Sequence, residues 1–81
     1  MNKDDKIYLL KKERLKLQTE LFYFTEKKQL YESMINKMNN YDIKNSQERF
    51  LLADLQRLVC FFESKMDVIQ IKLKDIEEIF N

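Results

Sequence analysis

The fold is decided by residues 52–80, which read LADLQRLVCFFESKMDVIQIKLKDIEEIF. Apolar side chains recur along this stretch at alternating intervals of three and four residues. All nine positions of the repeat are apolar: Leu52, Leu55, Val59, Phe62, Met66, Ile69, Leu73, Ile76 and Phe80. Such spacing, kept over four heptads, places an apolar stripe along one side of a helix and is typical of helices that pack on other helices.

The N-terminal part of the chain carries a second heptad repeat. Its positions are Ile7, Leu10, Arg14, Leu17, Leu21, Phe24, Lys28, Tyr31, Ile35 and Met38. Eight of the ten are apolar, and the exceptions are Arg14 and Lys28. We expect the stems of these two side chains to pack while their charged ends reach water. Alternatively, they control the register of the helix pair at some cost in stability.

A polar segment, residues 39–46, separates the two repeats. Asparagine can end a helix in the left-handed conformation where glycine is absent, as it is throughout this chain. Asn45 or Ser46 can cap the next helix, and Glu48 stands where a capping box carries an acid. One continuous helix is the alternative, but the first repeat, if extended, would then bring Arg49, Gln56 and Glu63 onto the packed side.

The sequence therefore predicts an all-α single domain, residues 1–81, with a helix over 3–38, a turn over 39–45 and a helix over 46–80. Arms of nearly equal length with a short connection form an antiparallel, coiled-coil-like hairpin. Residues whose numbers add to about 85 should then face each other. The expected pairs are Leu10 with Ile76, Leu17 with Ile69 or Met66, Phe24 with Phe62, and Leu30 with Leu55. Weak ion pairs should join Lys3, Lys6, Lys11 and Lys12 to Asp75, Glu77 and Glu78.

The composition of the 81 residues excludes most enzyme classes, because the chain has no Gly, Pro, His or Trp and a single Cys. Without His there is no Ser–His or Cys–His nucleophile, and with one Cys there is no zinc, haem or iron–sulfur ligand set. Without Gly there is no phosphate-binding loop. Cys60 lies in the apolar run 58–62 and is expected to be a small buried hydrophobe. We predict no enzyme activity, catalytic residue, cofactor or metal.

Apolar residues outside the two repeats suggest an interface. About 18 of them remain, more than a two-helix hairpin can bury, and ordered exposed apolar stripes mark interaction sites. We predict partner binding through Tyr8, Leu15, Phe22, Tyr23, Leu51, Leu58, Phe61 and Val68. Phe22 and Phe61 are expected to contribute most.

The predicted hairpin would be completed to a four-helix bundle, either by self-association as a homodimer or by a heterologous helical protein. A monomer with scattered surface apolar residues is the alternative. In its two-armed outline the chain resembles the small hairpin chaperones of type III secretion, and that resemblance implies shielding of a partner. The expected function is a non-enzymatic protein–protein interaction module, such as an adaptor, chaperone or inhibitor.

A second function remains open at the N-terminal part of the first helix. Its basic residues are Lys3, Lys6, Lys11, Lys12, Arg14 and Lys16. They suggest a dimeric nucleic-acid-associated protein, although nearby acids and a net charge of +1 make this the weaker alternative. The longest apolar run has five residues, too few to span a bilayer, and the N-terminus does not look like a signal peptide. Together with the lone thiol, this predicts a cytoplasmic location.

Overall fold

The computed structural model describes residues 2–41 and 45–80. Its two helices are α1, Lys3–Asn39, and α2, Ser46–Phe80. They pack against each other along a hairpin of 63 × 17 × 14 Å, which confirms the prediction of an all-helical chain with two packed helices. The predicted turn over 39–45 falls in part on residues 42–44, which lie outside the described residues. Within the described ranges, neither helix has both the length and the apolar character needed to cross a membrane.

An asparagine side chain caps the N-terminus of each helix. Asn2 Oδ1 accepts a hydrogen bond from the backbone N–H of Asp5 at 2.9 Å. Asn45 Oδ1 accepts from the backbone N–H of Glu48 at 2.8 Å, and Asn45 Nδ2 donates to Glu48 Oε1 at 3.2 Å. Each cap satisfies an N–H group that has no partner inside its helix. The box-like cap predicted for α2 is confirmed, with Asn45 as the capping residue.

The end of α1 differs from its prediction. Asn40 keeps a right-handed conformation, with φ −81° and ψ −9°. Its backbone N–H lies 3.2 Å from the carbonyl oxygens of both Asn36 and Lys37, and Tyr41 donates to Met38 at 3.1 Å. No residue in the described ranges has a positive φ, so the expected left-handed asparagine is wrong there. Tightening of the last turn satisfies the terminal carbonyls without that conformation.

The core follows the two heptad repeats. Every position of both repeats is buried or partly buried. The central cluster comprises Leu17, Ile69, Leu73 and Ile76, and the side chains packed on it are Leu10, Leu21, Phe24 and Phe80. This cluster lies in the part of the hairpin that holds the two chain ends, here called the open half (residues 2–19 and 69–80). In the turn half (residues 20–41 and 45–68), Leu55 is the one buried residue among those described.

Cross-helix contacts confirm that the helices are antiparallel but shift their register. The rings of Phe24 and Phe62 are 5.8 Å apart between centroids, as predicted. Tyr31, however, stacks on Phe62 at 5.6 Å, and the Arg14 guanidinium lies 4.9 Å from the centre of the Phe80 ring. Phe62 and Phe80 stand further along α2 than the partners that the predicted register gives to Tyr31 and Arg14. Side chains lean toward the N-terminus of their own helix, which displaces contacts in this sense by about one residue on each helix. The rest of the displacement is a difference in the register of the two helices.

Two predictions about contacts between the helices are wrong. Leu30 is 52% exposed, so it does not form the expected core layer with Leu55. Within residues 2–41 and 45–80, no ion pair joins the lysines Lys3, Lys6, Lys11 and Lys12 to the acids Asp75, Glu77 and Glu78. All of these charged side chains are exposed, and water solvates them about as well as a surface partner would.

Candidate protein interaction surface

The hairpin is a two-helix ribbon with two broad faces. Counting heptads with Ile7 and Leu52 as position a, positions c and g of both helices share one face and positions b and e share the other. The first, called the front face, carries exposed apolar side chains from both helices: Leu9, Tyr23, Leu30, Met34, Leu51, Leu58, Phe61, Val68 and Ile79. The second, called the back face, carries them from α1: Tyr8, Leu15 and Phe22.

Seven of the apolar side chains on the front face lie together in the turn half and are called the front patch. They are Tyr23, Leu30, Met34, Leu51, Leu58, Phe61 and Val68, each between 38% and 53% exposed. Every one of them therefore has a packed side and an open side. A contiguous apolar surface supplied by two helices is the kind of feature that marks an interaction site.

Aromatic contacts connect the two halves of the front patch across the hairpin. Tyr23 meets Phe24 edge to face at 5.4 Å, and Phe61 meets Phe62 in the same way at 5.6 Å. Phe24 and Phe62 are themselves in contact, and Tyr31 stacks on Phe62. The exposed rings of Tyr23 and Phe61 thus rest on one shared aromatic cluster, which holds them in place and limits the entropy they would lose on binding.

Lysines lie over both exposed rings of the front patch. Lys27 Nζ is 5.6 Å from the centre of the Tyr23 ring, and Lys65 Nζ is 5.3 Å from that of Phe61. These are cation–π distances, worth about 0.5–1 kcal/mol each at exposed sites. Both lysines lie among the apolar members of the front patch, at heptad position g, so charged amines share this surface with the exposed rings.

The back face is polar on its α2 side. A shallow groove there is lined by Lys28, Glu63, Met66, Asp67 and Gln70. Lys28 Nζ pairs with Glu32 at 3.3 Å on its own helix and with Glu63 at 3.5 Å on α2. The hydrogen bond and negative charge of Glu32, helped by Glu63, raise the pKa of Lys28 above its ordinary value of 10.5.

Arg14 and Lys28, the two charged members of the first repeat, both find partners on α2. Arg14 covers the ring of Phe80, and Lys28 reaches Glu63. Each residue is only partly buried, and its charged end contacts a partner on α2 where we expected it to reach water. Their contribution to the register stays a prediction.

The structure divides the eight predicted partner-binding residues between the two faces. Tyr23, Leu51, Leu58, Phe61 and Val68 belong to the front patch, whereas Tyr8, Leu15 and Phe22 are exposed on the back. The predicted binding set does not include Leu30, which the predicted register pairs with Leu55, or Met34. Heptad positions c and g, compared across both helices, would have identified them.

Cys60 corrects another expectation, because it is exposed rather than buried. It follows Val59, a position of the α2 repeat, and one residue further along a helix turns the side chain by about 100° away from the packed side. Its exposure does not create a metal site: within the described ranges, no group of three or more Cys, Asp or Glu side chains could hold a metal ion.

No protein-family model, curated protein or solved structure matches this chain. Any functional conclusion therefore rests on the surface of the chain itself.

Proposed function

We propose that this chain is a non-enzymatic protein–protein interaction module that docks through the front patch and completes a four-helix bundle with its partner. One observation carries the proposal: seven apolar side chains, drawn from both helices, are exposed together on one face of the turn half. An adaptor, chaperone or inhibitor would use such a face, because each of these proteins binds another protein and an apolar helix face can bind the apolar surface of a partner.

The distribution of burial supports a bundle. In a two-helix ribbon each helix has a single neighbour, whereas each helix of a four-helix bundle packs against two. Small domains have too little core to be strongly stable alone. Covering the front patch would add apolar burial, worth about 25 cal/mol per Å², in the half where Leu55 is the one buried residue described.

No specific observation favours the nucleic-acid alternative. The basic residues of the first turns of α1 occupy many heptad positions and alternate with Asp4, Asp5, Glu13 and Glu20. Proteins that bind nucleic acid through a helix usually concentrate lysine and arginine on one side of it.

Matched substitutions on the two faces test the proposal. Phe61→Asp places a charge in the front patch, and Leu15→Asp makes a similar change on the back face at a comparably exposed site. Tagged wild type and both variants are used for capture from the source cell, followed by light scattering of what co-purifies. We expect a complex with wild type and Leu15→Asp and its loss with Phe61→Asp, while circular dichroism shows that all three remain helical.

Two results would contradict the proposal. Equal complexes from all three chains would mean that the front patch is not the docking site. A complex that dissociates between about 50 and 200 mM salt and contains nucleic acid would favour the alternative, because phosphate contacts are strongly salt-dependent and apolar contacts are not.

A further inference from the structure

The front face of α2 carries a pattern that reads alike in both directions. Between residues 51 and 68 its members are Leu51, Asp54, Leu58, Phe61, Lys65 and Val68. The intervals are 3, 4, 3, 4 and 3 residues, so the centre lies between Leu58 and Phe61. Apolar residues stand at mirrored places about that centre. The remaining pair of places holds an acid, Asp54, and a base, Lys65.

Mirror symmetry of this kind suits contact with a second, antiparallel copy of the same helix. Leu58 of one copy would pack on Phe61 of the other, and Leu51 on Val68. Asp54 of each copy would lie opposite Lys65 of the other, which gives two equivalent ion pairs. Both charged side chains are exposed, and their present contacts, Asp54 with Arg57 and Lys65 with the Phe61 ring, are weak surface contacts that a cross-interface ion pair can replace.

The front face of α1 repeats the pattern about a centre between Lys27 and Leu30. At mirrored distances from this centre stand Tyr23 and Met34, and further out Glu20 and Lys37. An antiparallel copy would place Tyr23 on Met34 and Glu20 opposite Lys37, while at the centre Lys27 would lie against Leu30 through its alkyl stem.

The structure brings these two centres to the same level of the hairpin. Phe62 contacts both Phe24 and Tyr31, so it lies level with the segment of α1 between them. Lys28 Nζ, in that segment, is 3.5 Å from Glu63. A single two-fold axis, lying across the length of the ribbon, can therefore serve the patterns of both helices.

We propose that the front patch is occupied by a second copy of this chain, packed antiparallel about that axis. Asp54–Lys65 and Glu20–Lys37 pairs between the copies set its register. The proposal rests on the proposed function and adds to it the identity and orientation of the partner. The other two-fold arrangement, with the axis along the ribbon, would place α1 of one copy on α2 of the other. It would bring Asp54 against Met34 and Lys37 against Leu51, and it would lose the ion pairs.

Charge reversal with mixing tests the antiparallel dimer. Light scattering should give wild type about twice the 10.0 kDa mass of the chain. Asp54→Lys puts lysine opposite Lys65 at two symmetric places, and Lys65→Asp puts aspartate opposite Asp54. Each single variant should dissociate at least about tenfold more readily, because like charges face each other across a docked surface. An equimolar mixture of the two variants should recover the dimer, since every facing pair is then opposite in sign.

The double variant, Asp54→Lys with Lys65→Asp, should dimerise nearly as well as wild type for the same reason. Glu26→Lys is the control, because it reverses a charge on the outer edge of α1, which belongs to neither face, and it should leave the dimer intact. Circular dichroism verifies that every variant is helical. The Asp54–Arg57 ion pair that the substitution removes is highly exposed, so its loss costs the fold little.

Two results would overturn the proposal of an antiparallel dimer and leave the proposed protein–protein interaction function unaffected. A wild-type mass of one chain at every concentration would exclude the second copy, and singly substituted chains that the mixture does not rescue would exclude the antiparallel register. If Phe61→Asp still abolishes capture of another protein in either case, the interaction function stands and only the identity of the partner fails.

Discussion

The open half and the turn half of the hairpin use the same heptad repeat with different results. Of the five residues that are buried in the described ranges, the open half holds four, all of them leucine or isoleucine. The repeat in the turn half includes Lys28, Phe24, Tyr31 and Phe62, each only partly buried. Compact aliphatic side chains fill the space between two helices, whereas large rings and a charged amine extend beyond it. The half with the weaker core is also the half that carries the front patch.

Truncation of one residue in each half would test this difference with the largest expected effect. Ile69→Ala removes a buried side chain of the open half and should lower the free energy of unfolding by about 2–5 kcal/mol at any protein concentration. Leu58→Ala, in the exposed front patch, should cost less than about 1 kcal/mol in dilute solution and more at concentrations where a partner binds. Thermal unfolding over a range of protein concentrations measures both. Equal losses for the two variants in dilute solution would remove the distinction between the halves.

A smaller effect is expected at the start of α2, in the turn half. Asn45→Ala removes both hydrogen bonds with Glu48 and should cost about 1 kcal/mol of stability. Asn45→Asp, which keeps the acceptor for the Glu48 N–H, should retain most of it. Chemical denaturation of wild type and both variants measures the loss of stability. An unchanged denaturation midpoint for Asn45→Ala would show that the cap formed by Asn45 and Glu48 does not stabilise this half.

The smallest effect concerns Lys28. Because its pKa is raised in the folded chain, its ion pairs stabilise the fold fully below pH 10.5, and the contribution is lost as pH rises through the folded pKa. Lys28→Arg stays charged there and should lack this loss. We expect the melting temperature of wild type, relative to Lys28→Arg, to fall above pH 10.5. If the difference in melting temperature between wild type and Lys28→Arg stays constant from pH 8 to pH 12, the contacts of Lys28 with Glu32 and Glu63 are not coupled to folding.

Features decided by neighbours along the chain could be predicted from the sequence. The heptad positions of both helices and the Asn45 cap depend on residues within one or two turns, and the structure agrees with them. The exposure of all eight candidate binding residues follows from the same count, because a side chain off the repeat has no second helix to cover it. The identity of the partner that covers that surface, in contrast, does not follow from neighbours along the chain.

Contacts across the hairpin were predicted less well. Leu30 and Cys60 differ from their expected environments because a rotation of one residue moves a side chain off the packed side. The partners of Arg14 and Tyr31 lie further along α2 than predicted because the register between the helices differs, and the lean of side chains adds only about one residue on each helix. The expected ion pairs near the chain ends did not form among the described residues, since solvation competes with weak surface attraction.

The sequence by itself determined that two amphipathic helices form, where each begins, and which residues lie between them, because helical periodicity and capping are local properties. Heptad counting on an antiparallel pair also gives the exposed residues of α1 and α2 that share one face. Only the tertiary structure decided that the two mirrored patterns lie at one level. That level depends on the register between helices, which is set by the packing of side chains far apart in the chain.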